Sequence, residues 1–254
     1  MNATGRLLLV PNTLDLGAEA VALPQVLPEA VLQAAARIGH WIVEDARSAR
    51  AFLKRVNEWH VLATPLQQLS IHELPRPRKG SHESVPATAW RELLQPALEG
   101  LDIGLLSEAG PPGVADPGAE LVSHAHAAGI SVVPLAGASS LMLALAASGL
   151  NGQSFAFVGY VPQEHGARTR RLRELEAESR RLGQTQILIE TPYRNTPLLQ
   201  ALLATLAPGT RLAVSCGLTL PDGFTRSQTV ERWRADTPSL PDRLPAVFCL
   251  LAER

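Results

Sequence analysis

The sequence predicts an α/β chain of two α/β domains, the first built on a mostly parallel sheet and the second on a mixed one. Short aliphatic runs at residues 6–10, 40–43, 102–107 and 130–134 alternate with segments of helical apolar spacing, as buried parallel strands joined by crossover helices do. Farther on, residues 185–189, 211–216, 224–230 and 246–251 read as strands of a mixed sheet, with a short helix at 231–235 among them. Length points the same way: 254 residues, 46% of them hydrophobic but only 4% aromatic, suit aliphatic α/β packing, and the length favours two domains.

Composition narrows the function classes. A net charge of −1 gives no global basic field that would advertise a nucleic acid partner, and DNA is not expected, although a local basic face is compatible with it. Cys216 and Cys249 stand far apart within apolar runs and read as buried, reduced thiols of a cytoplasmic protein. Nothing at the amino terminus has the pattern of a secretory leader. The apolar stretch 135–150 is broken by serine and glycine and is too short to cross a bilayer, so a membrane partner is not expected. No metal is expected either, because His124 and His126 fall two apart on a helix and cannot face one ion. A Walker loop, a Gly-x-Ser-x-Gly elbow and a Gly-x-Gly-x-x-Gly after the first strand are all missing.

Taken in order, the strand Arg6–Val10 runs into Pro11-Asn12-Thr13-Leu14, and Pro28-Glu29 opens a helix with Val31, Leu32 and Ala35 on its apolar face. The strand His40–Val43 then delivers Glu44-Asp45-Ala46-Arg47. Two adjacent carboxylates at a strand end serve either to position a substrate or accept a proton, or simply to cap a helix through Asp45. Residues 65–86 are polar and proline-rich with little periodicity and read as a loop, either a lid over a site or a solvated connector. A helix over 87–99 returns the chain to the strand at 102–107.

That strand ends in Ser107-Glu108-Ala109-Gly110-Pro111-Pro112, followed by Asp116-Pro117-Gly118, read as a helix N-cap with proline in the first helical position. Glycine admits a ligand close to the backbone, while Pro111 and Pro112 fix φ and remove donors, so the loop is shaped in advance. The helix 116–128 and the strand 130–134 lead to Ala138-Ser139-Ser140 at the head of another helix. In the carboxyl half, a strand at 155–158 precedes a helix over 168–181 with six arginines against three glutamates. The strand at 185–189 ends in Glu190-Thr191-Pro192-Tyr193-Arg194, with Arg194 beginning a helix and Glu190 available either for an ion pair that locks the domains or for ligand contact.

The segment 105–118 resembles the signature of the tetrapyrrole methylase superfamily, the class III S-adenosylmethionine-dependent methyltransferases. The similarity is greatest to its branch of small-subunit ribosomal RNA methyltransferases. Ser107, Ala109, Gly110, Pro112, Asp116, Pro117 and Gly118 match that pattern, while Glu108 stands for aspartate and Ala115 for serine or asparagine. Glu44 to Arg47 and Glu190 to Arg194 resemble two further motifs of the branch, and the first loop departs from it at Asn12-Thr13-Leu14-Asp15.

The resemblance implies domains at residues 1–136 and 137–254 with S-adenosylmethionine in the cleft between them. Contacts to the cofactor would come from Pro11, Ser107, Glu108, Ala109, Gly110, Pro111, Pro112, Ala138, Ser139, Ser140, Glu190, Thr191 and Pro192. Substrate contacts would come from Asn12, Glu44, Arg47, Tyr193 and Arg194, and Glu44 and Glu190 are the candidate bases. It further implies a homodimer and, as acceptor, a ribose hydroxyl of ribosomal RNA in the small subunit. The cations that could meet RNA phosphates are Arg76, Arg78 and Lys79 on the loop and Arg168, Arg170 and Arg171 on the 168–181 helix, whose interleaved glutamates favour a solvated, ion-paired face over an RNA stripe. The alternatives are a tetrapyrrole-like small molecule, a protein side chain, or a cofactor-binding homologue without catalysis.

Overall fold

The computed structural model describes residues 4–15, 21–75 and 85–253. Two compact units emerge, Met1–Ala138 and Ser139–Arg254. The first contains β1 (Arg6–Val10), α1 (Leu23–Val26), α2 (Glu29–Arg37), β2 (His40–Val43), α3 (Ala46–Trp59), β3 (Ser70–Glu73), α4 (Ala87–Leu98), β4 (Ile103–Leu106), α5 (Ala119–Ala127) and β5 (Ser131–Pro134). Its strands form one parallel sheet in the order β3-β2-β4-β1-β5. Both faces are covered: Leu8, Val10, Trp41 and Val43 pack towards α2 and α3, whereas Leu7, Ile42, Ile103 and Leu105 pack towards α4 and α5. Burial on both faces explains why these strands read as uninterrupted apolar runs.

The second unit contains α6 (Ser140–Ser148), β6 (Phe155–Gly159), α7 (His165–Leu182), β7 (Thr185–Glu190), α8 (Asn195–Thr205), β8 (Arg211–Cys216), β9 (Phe224–Thr229), α9 (Val230–Ala235) and β10 (Ala246–Leu251). Its sheet runs β6-β7-β10-β8-β9, with β6 parallel to β7 and the remaining pairs antiparallel, the mixed sheet the sequence predicts. Cys216 and Cys249 are buried and unbonded. No helix among the described residues is long and apolar enough to cross a membrane.

Three expectations are corrected. Residues 65–86 are not wholly loop, because Ser70–Glu73 forms the edge strand β3, paired in parallel with β2 from His40↔Ser70 to Val43↔Glu73. Asp116 does not cap α5: the helix starts at Ala119 behind Gly118, whose φ of 127° is open to glycine alone, and Asp116 is left in the preceding turn. Arg194 closes a single 3-10 turn, Pro192–Arg194, and the α-helix begins one residue later.

Candidate functional site at the carboxyl edge of the parallel sheet

Because all five strands of the first unit run the same way, their carboxyl ends share one edge, and Val10, Val43 and Leu106 lie level in the pairing register. This is the edge at which open α/β sheets bind ligands. Pro11 and Asn12 follow β1, Glu44 follows β2, the 107–112 turn follows β4, and Ala138 lies beyond β5. The first loop and the β4 turn are joined by an isolated bridge. The Asn12 backbone N–H donates to the Gly110 carbonyl at 2.9 Å, and Asn12 Nδ2 donates to the Ser107 carbonyl at 3.0 Å. Ser107 Oγ, buried, also donates to the Gly110 carbonyl, at 3.0 Å. Gly110 sits at φ 70°, and a Cβ there would stand 3.4 Å from both the Ala138 carbonyl oxygen and Leu14 Cδ2. A valine at this position therefore strains the turn as well as filling it, so loss of a ligand in such a variant would not isolate close approach.

Three carboxylates gather beside this turn. Glu44 accepts the Glu108 backbone N–H at 3.4 Å, which ties the end of β2 to the end of β4. Burial, reinforced by the charges of Glu44 and Glu108, pushes the Asp116 carboxyl up to about 7. Asp45, next to Glu44 in the chain, does cap a helix, accepting the Ser48 and Arg47 N–H groups at 2.9 Å each, and these bonds hold its carboxyl below the usual range. Within the Glu44–Arg47 segment, Asp45 is therefore the cap and Glu44 the residue bonded to the β4 turn. Arg47 is exposed at the first turn of α3. Among the described residues, no group of three or more His, Cys, Asp or Glu is arranged to hold a metal ion.

Ala115, within the same turn, adopts φ 65°, a left-handed conformation that costs an alanine about 1–2 kcal/mol. Replacement by glycine removes that cost but adds chain entropy to the unfolded state, so Ala115→Gly should stabilise the first unit by about 0.5–1 kcal/mol. Urea denaturation checks this, and a loss of stability would mean that the left-handed turn is not held in solution.

In the second unit, Glu190 ends β7 with its side chain 6% exposed, paired with Arg194 at 2.8 Å and accepting the Thr191 N–H at 2.8 Å. The pair lies within the second unit and closes the turn between β7 and α8. Arg194 Nε also donates to Thr191 Oγ1, and its guanidinium lies 5.3 Å from the exposed Tyr193 ring. Ser139 is the N-cap residue of α6, followed by Ser140, but its side chain makes no capping hydrogen bond. Of the arginines considered for RNA, Arg171 pairs with Glu174 at 3.4 Å, Arg170 is exposed, and the buried Nε of Arg168 has no partner. Arg76, Arg78 and Lys79 lie outside the described residues.

Sequence reasoning missed Arg55 and Asp15, a buried ion pair behind the first loop, because a bond between residues forty apart leaves no local pattern. A groove of about 450 Å³ between α4 and α5, lined by Arg91, Leu94, Leu98 and His124, lies among helices and not at the strand ends.

The model of the tetrapyrrole (corrin/porphyrin) methylases matches residues 29–232 of this sequence. The chain belongs to that family. Among its relatives is the ribosomal RNA small subunit methyltransferase I of Halalkalibacterium halodurans, 38% identical over 125 residues, which cover 49% of this chain and 42% of that one. The protein of the same name from Bacillus subtilis is 32% identical over 186 residues, 72% of this chain and 60% of that one. The chain spans about half the length of the curated relatives it matches. Solved structures repeat the fold of this methylase family member. The methyltransferase CobJ superposes with a TM-score of 0.57 at 18% identity, covering 98% of this chain and 95% of that one. A cobalamin-synthesis-related protein, CobF, from Corynebacterium diphtheriae gives 0.59 at 13% identity, with 100% of each chain covered.

Proposed function

We propose that the protein transfers a methyl group from S-adenosylmethionine to small-subunit ribosomal RNA in the cytoplasm. The observation that carries this reading is the shared name of the curated relatives, which match this chain at 38% and 42% identity through stretches covering nearly half of it. The chemistry of the strand-end site supports the cofactor. Gly110 presents bare backbone where a Cβ would meet Ala138 and Leu14, leaving room for close approach of a ligand. Glu44 and Glu108, joined by Asp116 once it ionises at about 7, supply negative charge that suits a sulfonium cation.

Bound S-adenosylmethionine supplies a methyl group already activated by its positive sulfur. The residues of this chain then have to hold donor and acceptor in line and keep water out, and orientation of this kind is worth up to about 7–11 kcal/mol. A ribose hydroxyl acting as acceptor would have to give up its proton to a base. In our reading Glu44, which stands at the carboxyl end of the parallel sheet beside the β4 turn, fills that role, and Glu190 is the second candidate, held by Arg194 and the Thr191 N–H. General-base assistance is worth about 10²–10⁴-fold. Pro11, Ser107, Ala109, Pro111 and Pro112 line the cofactor side in the same reading, with Asn12 and Arg47 towards the acceptor. Ser139, Ser140, Thr191, Pro192 and Tyr193 are the contributions proposed for the second unit.

The test is incorporation of tritiated methyl from S-adenosylmethionine into small ribosomal subunits, total RNA, protein extract and tetrapyrrole precursors. Label in small-subunit RNA is expected. Label confined to protein or to tetrapyrroles removes the RNA acceptor, and no label anywhere removes methyl transfer. A homodimer is part of the same proposal. Phe155 and Phe157 on the edge strand β6, with Met142 and Leu143 on α6, expose apolar surface that a second copy can cover. Sedimentation equilibrium should give a dimer at micromolar concentration, and a monomer there ends the idea.

A further inference from the structure

Arg55 lies on α3, well away in sequence from the 107–112 turn, yet it heads a continuous series of bonds that ends there. Its side chain is 10% exposed and that of its partner Asp15 is fully buried, with Arg55 Nη1 3.5 Å from Asp15 Oδ2. Arg55 Nη2 also donates to the Val21 carbonyl at 2.8 Å. Thr13 Oγ1 donates to the other Asp15 oxygen at 2.6 Å, and the Thr13 N–H donates to Asn12 Oδ1 at 2.8 Å. That second bond orients the Asn12 amide so that its Nδ2 faces the Ser107 carbonyl, while the Asn12 N–H holds the carbonyl of Gly110.

A buried ion pair is a poor way to gain stability, since an apolar side chain of similar volume often does at least as well. What it supplies is one geometry in place of several. Here the pair fixes Asp15, Asp15 fixes Thr13, and Thr13 fixes the amide of Asn12. The only covalent route from Arg55 to that amide runs through the whole of β2 and the helices before it, so the bonded route is much the shorter.

We propose that Arg55, acting through Asp15 and Thr13, is a positioning residue that sets the Asn12 segment and thereby the Ser107–Gly110 turn in the geometry that binds the cofactor. The inference rests on the reading of that turn as the S-adenosylmethionine site, and it goes beyond that reading by assigning the turn's shape to a buried cation on α3. The side chains of Asn12, Thr13 and Asp15 build this bonded network themselves.

The experiment compares Arg55→Met and the charge-conserving Arg55→Lys with Leu53→Ala, which empties part of the core from the same helix and leaves the network intact. Binding of S-adenosylhomocysteine is followed by calorimetry, the KM for S-adenosylmethionine and kcat by methyl incorporation, and hydrogen exchange at the Asn12 amide and residues 107–110 by NMR. Both Arg55 variants should weaken binding about 10–100-fold, raise KM more than they lower kcat, and speed exchange at Asn12 and the turn. Leu53→Ala, at equal or greater loss of stability, should leave affinity and exchange at those sites within about twofold. Equal effects in Leu53→Ala, or unchanged affinity and exchange in folded Arg55→Lys, overturn the proposal. Should the unaltered protein fail to bind S-adenosylhomocysteine while the Arg55 variants still loosen the Asn12 amide, the cofactor reading falls and the positioning role stands.

Discussion

Replacing Asp15 with alanine is expected to cost the first unit about 3–5 kcal/mol, the largest effect of any single change considered for it. Asp15 is 4% exposed, accepts from Thr13, and is the carboxylate beside a guanidinium that is itself buried. Deleting it removes two partners at once and strands the Arg55 charge in the core, and the penalty of that unpaired charge exceeds the worth of the bonds lost. The change Asp15→Asn keeps an acceptor for Thr13 while losing the charge, so it should fall between the alanine variant and the unaltered protein. Urea denaturation followed by tryptophan fluorescence reads both, since Trp41 and Trp90 lie in the cores of this unit. A loss under about 1 kcal/mol in the alanine variant would mean that water reaches Arg55 and that the pair is not buried in solution.

The parallel sheet was legible because its inner strands must bury both faces, which leaves no polar residue to interrupt runs such as Leu7-Leu8-Leu9 and Trp41-Ile42-Val43. The strand β3 was not, for the opposite reason. Ser70-Ile71-His72-Glu73 sits at the edge, partly open to solvent, and its strand conformation comes from pairing with β2 and not from any pattern of its own. Asp116 misled through a rule that is sound locally, since an aspartate before proline is a good helix start. The chain instead makes a further turn through Gly118, whose missing side chain lets the helix begin close against Leu105, where a Cβ would stand 3.0 Å from its Cδ2. The Ser107–Gly110 turn could be read from its glycine and prolines because those residues act through their own backbones. What holds it, Asn12 from one direction and Arg55 behind that, could not, because the chain separation is large and neither residue type is distinctive.

The displaced aspartate gives the second large prediction. In an unfolded chain the Asp116 carboxyl ionises near ~3.9, whereas in the fold burial, and then Glu44 and Glu108, hold it at about 7. Below the lower value both states are protonated and the group favours neither. As pH rises between the two values the unfolded chain loses its proton while the folded one keeps it, so the folded state is progressively penalised, and the penalty levels off above about 7. Asp116→Asn should therefore stabilise the first unit at pH 8, by about 1–2 kcal/mol once solvent screening of a half-buried group is allowed for, and have no effect at pH 4. A cation at the site opposes the same repulsion. Binding of S-adenosylmethionine should lower the Asp116 carboxyl and release its proton, so affinity should rise between pH 5.5 and pH 8, by about tenfold for each unit of lowering. The neutral thioether of S-adenosylhomocysteine places no positive sulfur there and should show a shallower rise, and in Asp116→Asn the two ligands should follow parallel pH profiles. Calorimetry in two buffers of different ionisation enthalpy measures the proton release directly, and an uptake of protons on binding at pH 6.5 would put the sulfonium somewhere other than beside these three carboxylates.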